Sequence, residues 1–200
     1  MNQKMKKIKQ LVEKEYGVRK ATRADWADWL FAHHVFVVGD FAIELAERFG
    51  APLDQCYAAA ILHDIADARM SRFDTTHEQK SLEIARELLI AAGFTDDECS
   101  TIVDDAIRLH SCHDGARPQT MVGKILATAD ALAHLKTDFY SYATEHLMND
   151  RSESDRLKWI QNKIPRDYYE KIAFDEIRDE VRPTFEKLCT QFMLTDVQQP

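Results

Sequence analysis

The stretch Ala58-Ala59-Ala60-Ile61-Leu62, at the centre of residues 53–66, is apolar on every side of a helix. A helix with no polar face must be enclosed by other elements, so this segment demands a layered surround. The rest of the chain supplies helices for it. Only 6 Gly and 5 Pro occur in 200 residues, which favours long helices over many short strands. Apolar side chains recur at helical spacing over 2–16, over 22–49 in one or two pieces, and over 53–66, 76–93, 95–110 and 119–146. Two further helices are expected near 152–162 and 166–193, with Pro165 and Pro183 interrupting that stretch. No segment alternates like a strand, and there is no internal repeat. The predicted fold class is all-α, in one domain over 1–200, with loops at 67–75 and 111–118 and a frayed tail at 196–200.

Local signals set the boundaries. Thr22 is suited to cap the second helix, and Gly50-Ala51-Pro52 to stop it. Thr76 with Gln79, and Thr95 with Glu98, have the spacing of capping boxes. In 2–16, Ile8, Leu11 and Val12 oppose Lys4, Lys6, Lys7 and Lys9, so the segment is expected to pack with its lysines solvated. Gly123, Ala127 and Ala133 are small enough to let neighbouring helices approach closely.

A net charge of −8 argues against duplex nucleic acid as the main partner. An anionic small molecule remains a candidate, but it needs a local positive centre, and a bound metal is the most compact one. The four Cys (Cys56, Cys99, Cys112, Cys189) show no C-x-x-C spacing and are expected to be reduced thiols in a cytoplasmic protein. The Lys-rich start lacks the apolar run of a secretory signal, and no run of about 18 apolar residues is present, so no membrane span is expected.

The chemistry lies in where His and Asp interrupt apolar helices. His63-Asp64 ends the most apolar helix, where an unpartnered carboxylate is costly to bury. A metal, a salt bridge or a helix-end position would each meet that cost. His34 heads the inward stripe His34, Val38, Ala42, Leu45, Phe49, and Asp130 sits inside the apolar run Ile125 to Leu132. Three buried helices thus each bring in a metal-competent side chain. Two imidazoles and two carboxylates suit Mn²⁺, Fe, Ni²⁺, Co²⁺ or Zn²⁺ better than Ca²⁺, with Mg²⁺ a further candidate. One or two ions per chain fit the residues.

The ordered set His34, His63-Asp64, Asp130 resembles the H…HD…D signature of the HD superfamily of metal-dependent phosphohydrolases. Ala60-Ile61-Leu62-His63-Asp64-Ile65-Ala66-Asp67 and Ala127-Thr128-Ala129-Asp130-Ala131-Leu132 are similar to its flanking runs, and the likeness covers about 33–136. The dipeptide alone says nothing, since His113-Asp114 repeats it in a Gly-containing loop. The resemblance implies a helical core over about 22–146, with 147–195 as a C-terminal helical extension; the 137–193 helices, outside the recognised run, are candidates to cover the site or make a homodimer. It also implies metal ligands His34, His63, Asp64 and Asp130, with His77 and His110 either on a second metal or lining the pocket as catalytic groups. Asp67 is implied as the general acid/base; the alternative is a solvent-facing Asp at a helix end. Asp67 shares a face with His63 and Asp64 only if their helix continues. Arg69, Arg72, Lys80 and His113 are the candidate substrate-binding residues. His33 lies one residue off the inward stripe, and His134 and His146 are read as packing or surface histidines.

The activity so implied is metal-assisted hydrolysis of a phosphorylated small molecule, a nucleotide first by family analogy. Two alternatives stand beside it: an HD-fold di-iron oxygenase, and a non-catalytic module that senses a nucleotide.

Overall fold

The computed structural model describes residues 1–194. Among these residues all regular structure is helical. Helix α1 (Gln3–Gly17) is capped by Asn2, whose side chain accepts from the Met5 N–H at 2.9 Å. It buries Met5, Ile8, Val12 and Tyr16 at helical spacing, while Lys6 and Lys7 face solvent.

Helix α2 (Ala27–Phe49) includes a π-helical turn, Phe31–Val35, which is one residue wider than an α turn. It ends on Gly50 at φ 65°, a left-handed position that favours glycine. By length and composition α2 is apolar enough to cross a membrane, but Leu30, Val38, Ala42 and Leu45 are buried in the bundle core. Thr22 does not cap it. Its hydroxyl donates to the Arg69 carbonyl at 2.5 Å, and residues before Ala27 form turns.

Helix α3 (Leu53–Leu62) is buried continuously from Cys56 to Leu62, as its all-round apolar surface requires. The expected continuation to residue 66 fails because Asp64 leaves helical geometry (φ −122°, ψ 35°), and a 3-10 turn, Ile65–Ala68, follows. Helix α4 (His77–Ala92) lacks the expected capping box. Thr76 already has near-helical backbone angles (φ −97°, ψ −1°), whereas a cap needs an extended residue. Its hydroxyl donates instead to Asp74 at 2.7 Å, and Gln79 turns to Glu83 at 3.2 Å. The second box is present at the start of α5 (Asp96–Ser100, running on through a π-helical turn, Thr101–Ile107).

Helix α6 (Met121–Lys136) stops well short of residue 146. Thr137 is extended (φ −116°, ψ −173°), and its hydroxyl donates to the Ala133 carbonyl at 2.7 Å. The chain restarts as α7 (Phe139–Tyr142, continuing as a π-helical turn, Ala143–Leu147). Helix α8 (Glu153–Arg166) continues into a fourth wide turn, Asp167–Lys171, and α9 spans Asp175–Gln191. Pro165 and Pro183 lie inside α8 and α9 and interrupt neither. Pro183 is exposed, so the carbonyl it leaves unbonded can take water. The frayed tail expected at 196–200 lies outside the described residues.

Helices α2, α3, α6 and the wide turn of α5 pack together as the centre, with α1 and α4 against α3 and with the wide turn after α8, and α9, on α6. Gly123 permits the closest of these approaches. A Cβ there would fall 3.2 Å from Ala106 Cα and 2.6 Å from Asp105 Oδ2, and would collide with Pro118.

Candidate metal centre

The three helix-borne residues converge at one point. Asp130 Oδ1 lies 3.1 Å from His34 Nε2 and 3.7 Å from His63 Nε2, all on buried side chains. Asp64 Oδ2 is 3.6 Å from His63 Nε2. His63 Nδ1 sits 2.6 Å from the Ala60 carbonyl and His110 Nδ1 2.6 Å from the Ile107 carbonyl. Both histidines follow apolar helical runs whose final carbonyls lack partners, so Nδ1–H donates to the preceding turn and Nε2 keeps its lone pair. His63 Nε2 and Asp130 Oδ1 are buried with no hydrogen-bond partner among the described residues. Two facing, orphaned ligand atoms are costly unless a cation completes them, so the residues present fit a divalent metal. Two neighbouring sets have metal-ligand spacing: His34, Asp130 and His134, and His63, Asp64 and His110.

Asp67 is reached by the 3-10 turn rather than by a continuing helix, yet it is buried and does not face solvent. Its Oδ1 is 2.9 Å from His77 Nε2, and its Oδ2 accepts from Arg72 at 2.5 Å. Arg72 also donates to Asp64 at 2.9 Å. His77 is therefore tied to Asp67, apart from both ligand sets. Burial lowers the His77 pKa, but the hydrogen bond to Asp67 and the charge of Asp64 outweigh it and raise the value overall. Burial works to raise Asp64, but Arg72 and the surrounding imidazoles hold it well below the usual carboxylate range. Burial drives His110 down to about 4, with His63 adding to the effect.

A cavity of about 300 Å³ opens over these groups. Arg72, Arg108, Lys163, Arg166 and Lys171 give its lining positive charge, and Phe139, Leu147, Met148 and Trp159 form an apolar wall. His113 lines it from an exposed loop, with Arg166 2.9 Å from its Nδ1. Arg69 and Lys80 are not in this lining. Arg69 pairs with Glu15 at 2.9 Å, and Lys80 with Glu83 at 2.9 Å. His33 is exposed and stacks on Trp29, and His146 is exposed as well.

The sequence profile of the HD domain matches residues 31–135, just over half of the chain. The chain belongs to the HD-domain family. That membership supports a metal-dependent hydrolase. A crystal structure titled as a predicted HD superfamily hydrolase, from an uncultured Thermotogales bacterium, is similar in fold with a TM-score of 0.58. The two are 22% identical, and the likeness covers 94% of this chain and 90% of that one. Ribonuclease Y 1 of Pediococcus pentosaceus is 29% identical over 153 residues, 76% of this chain. The match spans only 27% of that relative's length.

The HD domain contains, or borrows from the helices after it, four site residues that sequence reasoning missed. His134, read from the sequence as a packing or surface histidine, is buried, stacks on His34 at 4.9 Å, and brings Nε2 to 3.3 Å from Asp130 Oδ1. Lys171 is buried against Asp130 Oδ2. Asp167 is fully buried between Lys163, His134 Nδ1 and the Tyr140 hydroxyl. The one sequence signal for His134 was its place one helical turn after Asp130, on the same face.

Proposed function

We propose that this HD domain is a metal-dependent phosphohydrolase acting on a phosphorylated small molecule, a nucleotide first. The observation that carries the reading is the facing pair of orphaned ligand atoms, His63 Nε2 and Asp130 Oδ1, beneath a cavity lined by five cationic side chains. His34, His63, Asp64 and Asp130 would hold the ion, with His110 beside Asp64 as the candidate ligand of a second. A divalent ion bound there supplies positive charge against phosphoryl oxygens and acidifies water.

The chain's own groups have separable tasks. Arg72 neutralises Asp64 and Asp67 and is the nearest guanidinium for a phosphoryl oxygen. The Asp67–His77 pair is the candidate proton carrier: His77 Nε2 lies 2.9 Å from Asp67 Oδ1, and that contact, with the charge of Asp64, favours the protonated imidazole. The apolar wall of Phe139, Leu147, Met148 and Trp159 suits a flat, uncharged group such as a nucleobase and excludes water from that side.

The similarity to ribonuclease Y 1 favours a second reading, a phosphodiester within RNA. One assay separates the two. Mn²⁺-dependent release is measured on nucleoside mono-, di- and triphosphates, p-nitrophenyl phosphate and a short single-stranded RNA, for wild type and Asp64→Ala. Phosphate or pyrophosphate release that disappears in the variant supports the first reading, and RNA shortening the second. No turnover above the variant, with metal bound, overturns both.

A further inference from the structure

We infer that His134 is a direct metal ligand, so that α6 of the HD core brings in the third imidazole of the centre, and that Asp167, in the wide turn after α8, holds it in place. The inference rests on reading the cavity as a metal centre and is independent of the substrate. Nothing in the H…HD…D pattern calls for a histidine at this position.

Geometry comes first. Ligand atoms that share one ion at about 2.1 Å, with tetrahedral or octahedral angles, are themselves about 3.0–3.4 Å apart. Asp130 Oδ1 lies 3.1 Å from His34 Nε2 and 3.3 Å from His134 Nε2. The two rings are parallel within 4°, so both nitrogens approach the same oxygen side by side. His63 Nε2, at 3.7 Å and without a partner, is the third nitrogen around that oxygen. Lys171 occupies Asp130 Oδ2, which leaves Oδ1 as the one free ligand atom of that carboxylate.

The far side of the ring is prepared as well. Ligation through Nε2 puts the imidazole proton on Nδ1, where an acceptor is needed. Asp167 Oδ2 is there at 3.0 Å. That carboxylate is fully buried and is itself fixed by the Tyr140 hydroxyl at 2.6 Å and by Lys163 at 2.7 and 2.6 Å. A histidine present only for packing would need no buried carboxylate behind it. The competing role is a donor: Nε2–H to Asp130, with Lys163, 3.1 Å from Nδ1, supplying the proton on the other side. In that arrangement the centre has two imidazoles.

Counting imidazoles decides the matter without any turnover. The protein is labelled with ¹⁵N-histidine, loaded with half an equivalent of Mn²⁺, and its directly coordinated nitrogens are counted by pulsed EPR. Three are expected in wild type and two in His134→Gln. Competition with a chromophoric chelator is expected to give about a tenfold or greater loss of Mn²⁺ affinity in Asp167→Asn. Two nitrogens in wild type, or an unchanged count and affinity in His134→Gln, overturn the inference and leave the metal centre standing. A wild type that binds no Mn²⁺ overturns both. Should His134→Gln fail to fold, the wild-type count decides by itself.

Discussion

Lys171 should act as the metal's stand-in while the centre is empty, and Lys171→Met tests this. The ammonium is buried beside Asp130 and 3.9 Å from Asp167 Oδ1. Burial lowers its pKa, but Asp130 and then Asp167 outweigh that, so the group is held charged above its ordinary value. Met keeps the volume and removes the charge, so packing changes little. What is lost is the counter-charge of a buried carboxylate, and breaking such a pair from one side costs about 3–5 kcal/mol. Against a total stability of about 5–15 kcal/mol for a domain, the variant should fold, but marginally. The assay is urea unfolding of chelator-treated protein at pH 7, repeated with saturating Mn²⁺. The metal-free variant is expected to lose about 3–5 kcal/mol, and Mn²⁺ should stabilise it by more than wild type, since the ion now supplies the missing charge. A metal-free loss below about 1 kcal/mol, or equal Mn²⁺ gains in both proteins, would refute the reasoning.

Three further outcomes are expected. Acid should destabilise the metal-free protein before its carboxylates titrate: burial lowers His110 to about 4 and His134 to about 3, from an ordinary 6.5. The unfolded chain then takes up protons first, so stability falls with pH by up to about 1.4 kcal/mol per unit for each histidine between pH ~6.5 and ~4; a flat urea midpoint from pH 7 to 5 would contradict this. Gly123→Ala should cost about 1–3 kcal/mol, because Pro118 and the backbone of Ala106 leave no room for a methyl group, and an unchanged thermal midpoint would show that α6 can shift. Arg72→Ala should lower kcat/KM for phosphate release about 100-fold, while Arg69→Ala and Lys80→Ala stay within about twofold; equal losses at Arg69 would mean that the cavity is not the reaction site.

The sequence was most legible where a polar residue breaks an apolar pattern. His34, His63, Asp64 and Asp130 stand out because each interrupts a run that has to be buried. Their convergence follows from the helices packing on those faces. Asp167, Lys163 and Lys171 carry no such mark. They sit in a polar stretch of a chain that is 30% charged, where surface solvation is the default reading. The burial of Asp167 and Lys171 depends on a wide helical turn that no 3.6-residue pattern reveals. Arg69 and Lys80 illustrate the opposite error. Nearness in sequence to His63-Asp64 suggested the site, but Arg69 found Glu15, 54 residues away, and Lys80 found a neighbour on its own helix. The break at Thr137 and the failed cap at Thr76 have the same origin, since side chains close in sequence took up backbone groups there: the Thr137 hydroxyl donates to the Ala133 carbonyl, and Asp74 accepts from the Thr76 N–H.

The four wide turns act as phase shifters. Each α-helical residue advances the face by about 100°, so one extra residue in a turn re-aims everything beyond it. The turns hold or adjoin His34, His110, Leu147 and the pair Asp167 and Lys171, all of which belong to the cavity or its supports. Point substitutions can therefore tune the strength of the centre. Loss of a single codon within 167–170 would change its phase, turning Lys171 about a quarter-turn away from Asp130 while the helices and core contacts of residues 1–166 kept their register. In this architecture an insertion or deletion of one residue, rather than a change of residue type, is the shortest genetic route between a chain that assembles the centre and one that only keeps the fold.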